Sequence, residues 1–169
     1  MAFIETDEEK QEKDYELMQF LSFSLGKEEY GIDILRVQEI RGWEEVREIP
    51  NTPPYIKGVL NLRSSVVPII DLRIRFGQKD VEYKPTTVII VLSVERNNEK
   101  HVVGAVVDAV SDVLDVNSKE LRKAPDFGTT VNTRYINGMI MIKQRMVILL
   151  NVDKLLDPDE LATLEKLAN

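Results

Sequence analysis

The sequence predicts a mainly β protein made of two related units, and three observations predict it. Short apolar runs bounded by Gly, Pro, Asn and Asp recur at 18–25, 30–34, 66–72, 87–94, 102–107 and 146–152. Their lengths and Val, Ile and Leu content are those of strands. The chain also repeats itself: GIDILRVQEI (31–40) aligns with GAVVDAVSDV (104–113), and IKGVLNLR (56–63) with INGMIMIK (136–143). Glycines and acidic positions match along with the apolar ones, as expected of a duplication. Each unit then closes with a polar turn and a further strand, VVPIIDL (66–72) or MVILLNV (146–152), which reads as a hairpin. About five strands per unit are enough to close a small barrel.

Composition narrows the class. Of 169 residues, 43% are hydrophobic and 30% charged, a globular balance. There is no Cys and one His, which excludes disulfides, thiolate metal sites, a cysteine nucleophile and histidine clusters. No apolar run approaches the ~20 residues of a membrane span, and the N-terminus lacks a basic-then-apolar leader, so the expected compartment is the cytoplasm. Residues 1–16 hold seven acids and two bases, so this stretch carries −5 of the net −7. Residues 1–14 read as a solvated acidic tail and 15–169 as the folded part. The remainder is nearly neutral and has no basic stripe, which argues against nucleic acid as a partner.

The elements follow in order. In 19–25 Leu21, Phe23 and Leu25 alternate with Ser22 and Ser24, a strand with one apolar face. Ile34, Val37 and Ile40 are spaced by three and predict a short helix capped by Asp33, and Val107, Val110 and Val113 repeat that spacing. Pro50, Pro53 and Pro54 make 48–55 a stiff loop. Hairpin turns are expected at Ser64–Ser65 and Gln144–Arg145. Residues 88–92 (VIIVL) are apolar throughout and predict a strand buried on both faces. A terminal helix is signalled by Asp157 as N-cap, Pro158, Glu160, then Leu161, Leu164 and Leu167 on one face.

Chemistry is sparse. No GxGxxG, GxxxxGK[ST] or GxSxG occurs. His101 reads as an exposed residue at a polar hairpin tip, and Trp43 as a packing residue. Asp71 and Asn151 occupy equivalent hairpin positions, as do Glu39 and Asp112. Because one member of the first pair is Asn, a shared acid–base role is disfavoured and a hydrogen-bonding role for Asp71 is expected. The alternatives to a binding protein are a hydrolase using Asp71 and Asp112, or a nucleic-acid-binding β-barrel.

Four segments, GKEEYGIDILRVQEIRGW (26–43), NTPPYIKGVLNLRSSVVPIIDLRIRF (51–76), VVGAVVDAVSDVL (102–114) and MVILLNVDKLL (146–156), resemble the CheW family of bacterial chemotaxis coupling proteins. The likeness runs from about residue 15 to the end. It implies two five-stranded SH3/OB-like β-barrels with strand exchange, short helices and a C-terminal helix, with approximate subdomains 15–82 plus 151–169 and 83–150. It implies a non-enzymatic adaptor without cofactor or metal, cytoplasmic and tied to membrane-bound receptor arrays only through its partners. Those partners would be chemoreceptor tips, docked in a groove between the barrels, and the regulatory domain of the histidine kinase CheA. Carried over by position, the receptor site is Val37, Glu39, Ile40, Val59, Asn61 and Arg63, and the kinase contact is Arg122 and Phe127. The valines and Ile40 would supply apolar anchors, and Glu39 and Arg63 a polar rim, or else a surface ion pair worth about 0–1 kcal/mol. One departure stands out: Ser64 occupies a position where the family usually has Gly. The turn there must avoid positive φ or carry strain.

Overall fold

The computed structural model describes residues 17–123, 133–156 and 158–168. Ten strands form two curled five-stranded sheets: β1 (Leu17–Leu25), β2 (Glu28–Asp33), β3 (Val37–Gly42), β4 (Ile56–Leu62), β5 (Ser65–Asp71), β6 (Val88–Arg96), β7 (Glu99–Val107), β8 (Ala109–Asn117), β9 (Ile136–Ile142) and β10 (Arg145–Leu150). Helix α1 (Leu72–Arg75) is a single turn, and α2 (Pro158–Ala168) is the terminal helix. Asp157, expected to cap α2, lies outside the described residues, as do the acidic tail and Phe127.

The repeat makes the two sheets by exchange. One sheet runs β3-β6-β7-β5-β4 and the other β8-β1-β2-β10-β9. Each takes the first hairpin of one unit and the last three strands of the other, so both cross the boundary near residue 82. The joint is a parallel pair in each sheet, β5 with β7 and β2 with β10. At that joint Gly104 lies opposite Ile69, and a Cβ there would sit 2.5 Å from the Ile69 Cδ1; Gly31 meets Leu149 in the same way. The matching glycines therefore mark where one unit's strand presses on the other's.

The exchange also explains the runs apolar on both faces. Ile89 and Val91 point into a cluster inside the first sheet's curl with Leu60, Val67, Ile69 and Val106. Ile90 and Leu92, between them, join the larger core shared by both sheets, with Phe23, Tyr30, Ile70 and Leu150. The second sheet encloses its own cluster of Leu114, Val116, Ile140, Val147 and Leu149. A strand sandwiched between two cores has no solvent face, so it has no polar alternation.

The expected short helix is a strand apart from one 3-10 turn, Ile34–Arg36, capped by the Asp33 carboxylate. On β3, Val37 pairs with Leu92 and Ile40 with Ile90, so four residues of β3 lie opposite three of β6. The bulge at Gln38 keeps Val37 and Ile40 on one face. The twin strand β8 does the same: Val110 and Val113 face Phe23 and Leu21. A spacing of three, which sequence alone assigns to a helix, is here a bulged strand.

Neither curl is closed by a strand ladder. Instead the Arg47 and Val59 backbones exchange two hydrogen bonds (3.1 and 2.9 Å) across the edges of the first sheet, and Arg122 and Met139 (2.8 and 2.9 Å) across those of the second. Gly58, at φ 144°, permits the first approach, since a Cβ would run into the Arg47 carbonyl oxygen. Both hairpin turns lie one residue earlier than expected, at Arg63–Ser64 (φ 50° and 68°) and Lys143–Gln144 (47° and 68°). Two successive positive φ values identify type I′ turns, so Ser64 takes the strained conformation. His101 is also not at a tip. The turn is Asn97–Asn98, and His101 stands within β7 opposite Val94, its side chain 15% exposed.

Candidate docking site

The segments that extend the two edge strands of the first sheet, β3 and β4, bring those edges together at two points. At one end is the Arg47–Val59 backbone bridge, and at the other the Arg63 Nη2 lies 3.4 Å from the Glu39 Oε2. The bulge at Gln38 makes this possible. It turns Glu39 to the side of its partner Val91, into the end of the curl, while Val37 stays on the side of the shared core. Beside the ion pair opens a pocket of about 130 Å³. Its floor is Leu62, Val67, Val91 and Val102, and its rim Gln38, Glu39, Arg63 and Ser65.

The rim is a ladder of alternating charge. Glu39 Oε1 accepts from Arg41 Nη1 at 3.1 Å, and Arg41 Nη2 donates to Glu44 Oε1 at 3.4 Å. The hydrogen bond to Glu39, reinforced by the charges of both carboxylates, raises the Arg41 pKa further. Arg63, on the turn, is 89% exposed and reaches Glu39 only at the long end of hydrogen-bond range.

Of the six residues expected at a receptor site, the structure brings Glu39 and Arg63 together. Val37 is half-buried against the shared core. Ile40 lies on that same side of β3 but at its edge, 46% exposed. Val59 and Asn61 alternate with the inward Leu60, on the outer face of β4. The sequence reading missed the pocket floor. Val67, Val91 and Val102 are indistinguishable from core until the curl shows which end stays open. Of the expected kinase contacts, Arg122 is exposed, its backbone in the second bridge and its Nη1 donating to the Lys119 carbonyl at 3.3 Å.

Asp71 has a structural position. It is fully buried, caps α1 through the Arg73 N–H (3.0 Å), and pairs with the Arg73 guanidinium at 2.8 Å. Arg73 also reaches Asp108 at 3.2 Å and stacks over Tyr83. Burial works most strongly against the Arg73 charge, yet Asp71 and then Asp108 together leave its pKa raised. Asp112 stands exposed on β8 of the other sheet, so the two carboxylates of the hydrolase alternative do not share a site. Trp43 packs on the inner cluster and stacks on Tyr83 at 4.2 Å, and it is not among the residues lining the pocket. Among the described residues, no group of three or more His, Asp or Glu is placed to hold a metal, and no helix is long and apolar enough to cross a membrane.

The fold defines a double SH3-like scaffold, with a candidate docking surface at the open end of its first sheet. The CheW-like domain model matches residues 19–160. The chemotaxis protein CheW of Klebsiella aerogenes is 51% identical over 150 residues, covering 89% of this chain and 88% of its own. That of Treponema pallidum is 34% identical over 154 residues, covering 91% and 89%. The crystal structure of the scaffolding protein CheW from Thermoanaerobacter tengcongensis superposes with a TM-score of 0.75 at 30% identity, covering 86% of this chain and 91% of that one. The chain belongs to the CheW family and is a chemotaxis coupling adaptor.

Proposed function

We propose that this chain couples chemoreceptor cytoplasmic tips to the regulatory domain of the histidine kinase CheA, in the cytoplasm beneath membrane-bound receptor arrays. The observation that carries the receptor side is the pocket at the open end of the first sheet. It has an apolar floor, a charged rim and an arginine free to change partners, as helix-in-groove docking requires. Glu39 and Arg63 form its polar rim. Val37, Ile40, Val59 and Asn61 flank it on β3 and β4 and extend the surface a receptor helix would cover. The kinase side is assigned to Arg122 and Phe127. The protein acts by holding its partners side by side, and modest affinities gain from multivalency in an array. No catalytic step is assigned to it.

The test is a pull-down of the purified chain with a receptor cytoplasmic fragment and the kinase regulatory domain. Wild type should retain both. Arg63→Ala should keep the wild-type melting temperature, because its ion pair is exposed, and lose receptor binding about tenfold. Retention of neither partner by wild type overturns the proposal. Unaltered receptor binding by Arg63→Ala removes Arg63 from the site.

A further inference from the structure

The internal repeat supplies a built-in comparison for every residue of the pocket, and one position does not fit a purely structural role. Arg41 pairs across strands with Ile89, a member of the inner cluster, so its stem enters the curl. Its twin in the second unit, 73 residues on, is Leu114, which lies in the second sheet's inner cluster. At Arg41 the equivalent place holds an arginine that is 35% exposed as a whole but whose Nε is inaccessible to solvent and has no hydrogen-bond partner. A buried N–H without an acceptor opposes folding, and Leu at this position is demonstrably compatible with the architecture. Local rules are broken in this way where a site needs the group.

We infer that Arg41 is a positioning residue of the docking pocket: it fixes the Glu39 carboxylate so that Arg63 is left weakly held and is passed to a carboxylate on the docking partner. Arg41 binds Glu39 Oε1 at 3.1 Å and is itself steadied by Glu44. Only Oε2 remains for Arg63, at 3.4 Å, and the Arg63 side chain is otherwise in solvent. A fixed Glu39 presents Arg63 at one place on the rim, which lowers the ordering cost when a partner carboxylate takes it. The inference rests on the proposed docking role of this pocket and adds the residue that pre-organises it.

Two measurements on the full-length chain test it. In calorimetric titration with a chemoreceptor cytoplasmic fragment, Arg41→Leu should bind about tenfold more weakly than wild type while melting at or above the wild-type temperature. In the Glu39→Gln background the same change should cost less than about twofold, because a positioning effect vanishes with the group positioned. Equal losses in both backgrounds, or no loss in either, overturn the inference. Without any partner, the Glu39 side-chain carboxyl resonance should move in Arg41→Leu, and by less in Glu44→Ala, which loosens Arg41 without removing it. An unmoved resonance in Arg41→Leu overturns the positioning role even if the partner assignment holds. Failure of wild type to bind the fragment, with the resonance shift present, overturns the partner assignment and the hand-over with it, and leaves the fixing of Glu39 standing.

Discussion

The open ends of the two sheets are built from twin residues and have diverged in chemistry. Val67 and Leu62 at the first end correspond to Val147 and Ile142 at the second, so the walls are alike. The rest differs. Val102 is replaced by Glu29, and Val91, which faces Gly104, by Ser22, which faces Gly31. Glu39 and Arg63 become Asp112 and Lys143, the same charge signs on a shorter acid and a less branched base. Among the described residues these two make no ion pair with each other. At the second end Glu29 instead approaches Arg145 at 3.6 Å, with its other oxygen buried and unpartnered. Duplication preserved what the fold needs, the glycines at the parallel joints and the inner clusters, and left the rims to vary. The first end kept an apolar floor, the feature on which the proposed docking of a helical partner rests.

A second contrast lies where each hairpin ends. Asp71 and Asn151 take equivalent places. Each side chain caps the next turn (3.0 and 3.1 Å), and each backbone N–H donates to a twin tyrosine, Tyr55 or Tyr135. Two residues on, the polarity reverses. Arg73 reaches Asp108 at the β7-to-β8 crossing, whereas Asp153 holds Arg36 at the β2-to-β3 crossing through two 2.9 Å bonds. Both points where the chain changes sheets are thus locked by an ion pair of opposite sense. In the first, Arg73 is buried and also holds the fully buried Asp71, while Asp108 is 33% exposed; in the second both partners are about a quarter exposed.

That difference sets the largest predicted effect. Asp71→Ala leaves the buried Arg73 Nε and Nη2 without acceptors, with Asp108 the remaining carboxylate partner, and should cost about 3 kcal/mol in urea unfolding. Asn151→Ala removes one cap in a neutral setting and should cost about 1 kcal/mol. Equal losses would show that the two hairpin ends are energetically alike. The next effect separates the two sides of the shared core, where Tyr30 is the twin of Val103. Burial, aided by the Glu28 charge, pushes the Tyr30 pKa from 10.0 up to about 12. The unfolded chain releases that proton first, so the contribution is whole below pH 10 and is lost as pH rises toward 12. The loss should approach about 3 kcal/mol. Tyr30→Phe should lack this increment of alkaline sensitivity; an unchanged slope would place the titration elsewhere. Smallest is Ser64→Gly, which relieves a positive φ and should stabilise by about 0.5 kcal/mol without altering the pocket. A change in receptor binding would show that the Ser64 hydroxyl, and not only the turn geometry, belongs to the site.

Much of this protein follows from sequence order alone. Unbroken apolarity in 88–92 gave a two-faced strand and the repeat gave the paired architecture, because each pattern is local and periodic. Alternation in 19–25 suggested one apolar face, but Ser22 is fully buried and Phe20 packs on the second sheet's cluster, so β1 is covered on both sides. The docking pocket was legible only in part. Glu39 and Arg63 were singled out by resemblance, but the helix expected to carry Glu39 is a strand, and Arg63 lies on the turn itself. Same-face spacing of three arises from a helical turn or from a bulged strand, and only the partner strand distinguishes them. The exchange of hairpins, the end of each curl that stays open and the guanidinium standing where the twin has leucine are set by contacts between residues dozens of positions apart, to which no local pattern is sensitive.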